Sequence, residues 1–244
     1  MQKNTPSESP KQGDSVDKLS LIRNHFLFSH LAAGAMQQLA NRMTRKAVRR
    51  GAIIFAKDDP GIGLIGVIRG SVKISVVAAD GREAVLNIIN SGEVFGEMAL
   101  LDGRPRSADA TAMSDCELVS IDRSAFISIL RGDPDVALKI IEVLCARLRR
   151  SSEQLQDVMY LNAAARLAKT LLQLAIKSDA PGPVRKAKIT QREISQIVGL
   201  SREMTNKQLR IWERSRWLKL ERGGVVLLQP SQFEKVAAEA IDSV

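Results

Sequence analysis

The 244-residue sequence contains only two cysteines and two histidines. Cys116 and Cys145 stand in no metal-like spacing and read as reduced intracellular thiols. His25 and His30 have no further ligands clustered near them, which argues against a metal site. No apolar run approaches the roughly 18–20 residues of a membrane span. The opening stretch "MQKNTPSESPKQGDSVDK" is polar and rich in Pro and Ser. It lacks the apolar segment of a secretory signal, so residues 1–20 are expected to form a disordered tail. There is no Walker loop, metal set or nucleophile–base pair, so the chain is not expected to be an enzyme. These absences point to a cytoplasmic protein whose work is binding.

Hydrophobic residues make up 45% of the chain, enough for a real core. The net charge is +9 and is unevenly placed. Residues 163–244 carry fifteen Lys and Arg against eight Asp and Glu, whereas residues 1–162 carry twenty-one against nineteen. A basic C-terminal third suggests a polyanionic partner, most simply nucleic acid.

Residues 21–50 read as short amphipathic helices, with Leu21, Ile22, Phe26 and Leu31 spaced for one buried face. From Gly51 to about Ser124 the texture is β-rich: "AIIF", "LIGVI", "SVKISVV", "AVLNII" and "CELVSI" are separated by Asp59-Pro60-Gly61, Arg69-Gly70, Asp80-Gly81 and Ser91-Gly92. Such spacing predicts a small barrel or sandwich over 21–132, with a hairpin turning at Asp80-Gly81. Asp133-Pro134 then opens a helix running to about Leu161. Ile141, Leu148 and Leu155 recur every seven residues, with Leu144 and Val158 at the intermediate positions. This heptad calls for a partner helix, and a second copy of the chain is the symmetric solution. Residues 133–162 are thus expected to form a dimerisation helix and hinge. Ser151 interrupts the seam and Ser152 lies next to it; a hydroxyl there either sets register or meets a polar ligand.

Residues 163–244 begin with another helix, "NAAARLAKTLLQLAIK", and a Pro/Gly loop, "SDAPGPVRK". Thr190 and Glu193 then form a capping box. Ile194 and Val198 are the buried positions of that helix, Gly199 turns the chain, and Ser201 caps the next helix. Two short helices across a glycine turn make a helix-turn-helix, and "WLKLERGGVVLL" reads as the hairpin of a wing. Arg202, Glu203, Asn206 and Lys207 sit at the end of the second helix that enters a major groove. Arg202 suits guanine, Glu203 suits cytosine N4, and Lys207 suits guanine or phosphate. Thr190, Gln191, Ser201 and Arg210 complete the candidate DNA contacts.

The stretch "FGEMALLDGRPRSA" (95–108) supplies what a cyclic phosphate needs. Arg106 offers a forked cation, Ser107 a hydroxyl, and the backbone at Ser107 and Ala108 a small anion nest. Glu97 would repel phosphate and suits a ribose 2′-hydroxyl. Gly96 allows close backbone approach, and the apolar turn from Met98 packs on the barrel.

The two motifs together resemble the catabolite activator/FNR-type bacterial transcription regulators, over nearly all of residues 21–229. The first resembles the phosphate-binding cassette of cyclic-nucleotide domains; "ITQREISQIVGLSREMTNKQLRIWE" resembles the activator's helix-turn-helix. The resemblance implies an α+β fold: an N-terminal cyclic-nucleotide-binding β-roll (a small jelly-roll-like barrel), a long dimerisation helix and a C-terminal winged helix-turn-helix. It implies a ligand site on Gly96, Glu97, Met98, Arg106, Ser107 and Ala108, with Arg147, Ser151 and Ser152 added from the long helix. It favours cyclic AMP as effector, with cyclic GMP left open as a second ligand. It further implies palindromic double-stranded DNA, a homodimer and RNA polymerase as partners. Two cysteines are too few for an iron–sulfur sensor. Two alternatives remain at this point: the same fold gated by another effector, and a cyclic-nucleotide-binding regulatory subunit of an enzyme. Lys207 departs from the activator's arginine, and lysine cannot make the two-pronged guanine contact.

Overall fold

The computed structural model describes residues 18–19, 22, 28–29, 31–176 and 185–239. Most of the expected tail, Leu21, Phe26, both histidines and most of the Pro/Gly loop lie outside these residues. The described residues fall into two compact units. One comprises those up to Ile74 together with Ile88–Cys145; the other comprises Ser75–Asn87 together with those from Ala146 onward.

In the first unit, a helix (α1, Ala33–Arg42) leads directly into a strand (β1, Met43–Val48). The expectation of helices through residue 50 is therefore corrected: helix stops at Arg42. Met43–Val48 pairs antiparallel with β8 (Cys116–Asp122), from Met43 opposite Ile121 to Val48 opposite Cys116. Its two ends face opposite sides of the sheet, Met43 toward the helices and Val48 into the barrel. With only its two end residues buried, on opposite faces, the strand shows no clean alternation, which is why a helical pattern could be read into it.

β2 (Ile53–Phe55), β3 (Gly63–Arg69), β4 (Ser71–Val77) and β5 (Glu83–Asn90) match the expected runs. Two short strands, β6 (Val94–Phe95) and β7 (Asp109–Ala112), flank the cassette. The strands form two four-stranded sheets, ordered β1-β8-β3-β6 and β2-β7-β4-β5. Val67, Phe95, Ala110 and Leu118 belong to a core that draws on both sheets. Leu64, Val119 and Ile121 point the other way and pack with α1 and with a helix absent from the sequence-based reading, α2 (Arg123–Gly132). Asp122 caps that helix by accepting from the Ala125 amide at 2.8 Å. Phe126 is fully buried, edge-on to Phe28 at 6.5 Å between ring centroids. The long helix, α3 (Pro134–Tyr160), starts in the same core through Val136 and Ile140.

After a break at Leu161-Asn162 the next helix, α4 (Ala163–Ile176), is capped by Asn162, whose Oδ1 accepts from the Ala165 amide at 2.9 Å. Lys169 Nζ and Asp157 pair at 2.7 Å across the break. A short strand, β9 (Arg185–Ala187), joins β10 (Leu218–Glu221) and β11 (Gly224–Leu227) in a sheet ordered β10-β11-β9. The wing hairpin is thus present, with a third strand that its three-residue length hid in the sequence. A final helix, α5 (Pro230–Glu239), brings Phe233 onto Trp212 and Trp217, with centroids 5.0 and 6.1 Å away.

Both tryptophans of the chain lie in that cluster, so intrinsic fluorescence reports the C-terminal unit. Phe233→Ala is expected to cost about 3–5 kcal/mol there through lost burial and a residual cavity. Urea titration followed by tryptophan emission checks this; an unchanged midpoint would contradict the packing described.

Candidate functional site

The cassette begins where β6 ends. Val94 and Phe95 are buried, and Gly96 turns the chain with φ 82°. A short helix, Glu97–Asp102, follows and ends on Gly103, φ 72°. Ala99 and Leu100 bury its inner side, while Met98 is exposed. Its last turn is tied down by Arg123, whose Nε donates to the Leu100 carbonyl at 2.8 Å. Asp102 accepts from the Arg104 amide at 2.9 Å, and Pro105 leads into Arg106.

Arg106 is only 4% exposed. Its Nη1 donates to the Gly96 carbonyl at 2.8 Å and its Nη2 to the Gly63 carbonyl at 2.9 Å. The guanidinium lies over the Phe55 ring at 4.3 Å, a cation–π contact. Its backbone is held on both sides by the 58–59 turn: Arg106 N–H donates to the Asp59 carbonyl at 2.8 Å, and Asp58 N–H to the Arg106 carbonyl at 2.9 Å. Nε is buried with no hydrogen-bond partner. Burial pushes the guanidinium pKa down; the carboxylates of Glu97 and Asp59 oppose that shift. Glu97 is 1% exposed. A buried cation whose Nε donor is unspent, and whose two terminal nitrogens each donate to a neutral carbonyl, suits an anionic guest.

The glycines here are spatial requirements. A Cβ at Gly96 would sit 2.3 Å from Arg106 Nη1, one at Gly61 2.3 Å from Ala99 Cβ, and one at Gly63 2.4 Å from the Ile121 carbonyl oxygen. The supporting residues Phe55, Asp59, Gly61 and Gly63 escaped the sequence reading. The 59–61 turn signal was visible, but nothing in it said that its carbonyls face an arginine nearly fifty residues later.

Of the predicted ligand residues, Gly96, Glu97, Met98, Arg106, Ser107 and Ala108 lie together in the first unit, with Ser107 exposed and Ala108 buried. Arg147, Ser151 and Ser152 belong to the second unit, on the long helix. Ser151 and Ser152 are exposed, and Ser152 Oγ donates to the Leu148 carbonyl at 3.0 Å. On the same helix Ile141, Leu148, Leu155, Val158 and Met159 are 52–69% exposed.

The DNA-reading candidates gather on two helices, α6 here being Gln191–Val198 and α7 Arg202–Arg214. The Thr190–Glu193 capping box is complete: Thr190 N–H donates to Glu193 Oε2 at 2.7 Å, and Glu193 N–H to Thr190 Oγ1 at 3.2 Å. Gly199, φ 72°, ends α6. The Ser195 carbonyl accepts from both the Gly199 and Leu200 amides, at 3.0 and 3.1 Å. Ser201 caps α7, accepting from the Met204 amide at 3.1 Å. Thr205, Leu209 and Trp212 bury one side of α7. Arg202, Glu203, Lys207 and Arg210 are exposed, Asn206 and Gln191 half-buried. The spacing of 203, 206, 207 and 210 places them on one face.

Comparison with known proteins agrees with this geometry. Residues 45–133 match the cyclic nucleotide-binding domain family, and residues 165–236 match the Crp-like helix-turn-helix domain family. The chain is 35% identical over 217 residues to the CRP-like cAMP-activated global transcriptional regulator of Mycobacterium tuberculosis, covering 88% of this chain and 96% of the relative. It is 34% identical over 182 residues to the cAMP-activated global transcriptional regulator Vfr of Pseudomonas aeruginosa, covering 72% and 84% respectively. Among solved structures, the c-di-GMP responsive global regulator CLP of Xanthomonas campestris superposes with a TM-score of 0.72 at 26% identity, over 80% of this chain and 99% of that one. A cyclic-nucleotide domain joined through one long helix to a winged helix-turn-helix, in relatives matched along almost their whole length, places this chain in the CRP/FNR family of transcription regulators.

Proposed function

We propose that the protein is a cytoplasmic homodimeric transcription regulator, gated by a cyclic nucleotide and reading a palindromic DNA site. The observation that carries this is the buried Arg106 guanidinium with its unspent Nε. Cyclic AMP is the preferred effector, because the relatives matched over most of their length are named for it; cyclic GMP is the competitor to test. The cyclic phosphate is held by Arg106 and Ser107, Glu97 takes the ribose hydroxyl, and Gly96 and Ala108 line the approach beside Met98. Arg147, Ser151 and Ser152, on the long helix, are the further residues that the family resemblance assigns to this ligand. The ligand thereby favours one setting of the helix, and the break at Asn162 passes this to the DNA-reading pair. Equilibrium gating is limited by differential affinity: about 5.5 kcal/mol turns a 1:99 population into 99:1.

The exposed stripe from Ile141 to Met159 supports the dimer, since a row of large apolar side chains at heptad spacing is stable in water only against a partner. Two recognition helices related by the dimer axis reach half-sites about 34 Å apart. Arg202 and Glu203 recognise a G·C pair in each half-site, while Thr190, Gln191, Ser201, Asn206, Lys207 and Arg210 fix the phosphates and flanking bases. RNA polymerase is the expected protein partner at the promoter.

Arg106→Ala leaves an anionic guest without its cation and is expected to weaken cyclic AMP binding at least about 30-fold, read by calorimetry with cyclic GMP in parallel. Equal affinities for mutant and wild type would remove the cradle from the account. DNA affinity at fixed salt is expected to rise when cyclic AMP is added; equal values with and without it would refute gating. Selection from random duplexes is expected to return a palindrome with G·C at the Arg202/Glu203 step and looser preference at the pair facing Lys207. A selected pool without symmetry would contradict the dimeric reading.

A further inference from the structure

The hairpin formed by β4 and β5 has an unexpected allegiance: Ser75–Asn87 belongs to the unit that contains the DNA-reading helices. Its tip is stiff. Gly81 sits at φ 79°, and Ala78 N–H donates to the Arg82 carbonyl at 2.8 Å. Asp80 accepts from the Arg82 amide at 3.0 Å and pairs with its guanidinium at 2.7 Å. Three side chains then fasten β5 between Glu83 and Asn87. Gln196, on α6, donates its amide N–H to Glu83 Oε2 at 2.6 Å. Gln154 Nε2 reaches the Leu86 carbonyl at 3.4 Å, and Arg150 Nη1 donates to Asn87 Oδ1, both from the long helix. The same strand continues into the barrel core at Ile89, and twelve residues of chain separate Glu83 from Gly96.

We propose that Glu83 and Gln196 are positioning residues for the DNA-reading pair: they clip α6 to the hairpin, so that a change at the cassette reaches the recognition helix along β5 as well as along the long helix. The physical basis is the chemistry of the contact. A carboxylate accepting from an amide N–H is charge-assisted, directional and half-buried, so it resists competition by water. Arg150 and Gln154 lie one helical turn apart and hold the following residues of the same strand, so the clip cannot slide along the hairpin independently of the helix.

The inference rests on the ligand-gated reading above, and the experiment separates the two. Glu83→Ala, Gln196→Ala, their combination and Glu83→Gln are made in the full chain; both sites are half-buried, so the fold is expected to tolerate them. Each alanine variant is expected to reduce the cyclic AMP-dependent gain in DNA affinity at least about fivefold, with cyclic AMP affinity unchanged. The double variant is expected to lose no more than either single one. Glu83→Gln keeps an acceptor oxygen at the same reach and is expected to restore most of the gain. Unchanged gains in both alanine variants, or losses that simply add in the double, overturn the proposal. If wild-type protein shows no gain, the gated reading has failed, and amide hydrogen exchange of ligand-free protein decides the clip by itself. Faster exchange over residues 191–198 in Glu83→Ala supports it, and identical exchange overturns it.

Discussion

A guanidinium held out of water with neutral oxygens as its partners is the constraint on which the N-terminal half depends. Removing a full positive charge from solvent is costly unless dipoles, an aromatic face or opposite charges compensate. Arg106 has some of each: the Gly96 and Gly63 carbonyls, the Phe55 ring, and the nearby carboxylates of Glu97 and Asp59. Each supporting group imposes a demand of its own. The carbonyl of residue 63 must point inward from the start of β3, and the 58–59 turn must grip the arginine's backbone. The cassette helix must end where Arg123 can hold its last carbonyls. The fold of this region is thus in large part the apparatus that keeps one cation poised.

The long helix connects two environments. Its first turns are embedded among the hydrophobic residues of the barrel's helical layer through Val136 and Ile140. Farther along, large apolar residues face outward. Past Tyr160 the chain breaks, and the Asp157–Lys169 pair spans the break while Asn162 starts the next helix. That half-buried pair ties the two helices through side chains rather than through the backbone. The DNA-reading pair, by contrast, is rigid at its turn, where a reciprocal capping box, a left-handed glycine and a serine cap occupy twelve consecutive residues.

Much of this was legible in the residues. The helix-turn-helix was written as local chemistry, Thr190-x-x-Glu193, Gly199 and Ser201, and local chemistry survives in any tertiary context that permits a helix. The heptad from Ile141 to Val158 was equally plain, because a seam is periodic along one element. What escaped was whatever depends on distant neighbours. β1 sends only Met43 and Val48 into cores, on opposite faces, and so lacks alternation. β6, β7 and β9 are two to four residues long, too short for any period to register. Phe55, Gly61 and Gly63 serve the cassette from another part of the chain, and a single sequence carries no mark of that service. The Glu83–Gln196 contact joins residues 113 positions apart.

Gly96 and Arg106 share one volume. The terminal nitrogen of the arginine rests where the side chain of any other residue at position 96 would begin. The two positions therefore cannot vary independently: a natural or engineered relative that replaces this glycine must house its arginine elsewhere, whatever the rest of its motif says. Sorting such proteins by residue 96 before residue 106 would separate those able to keep the cation in its present berth from those that only retain its letter.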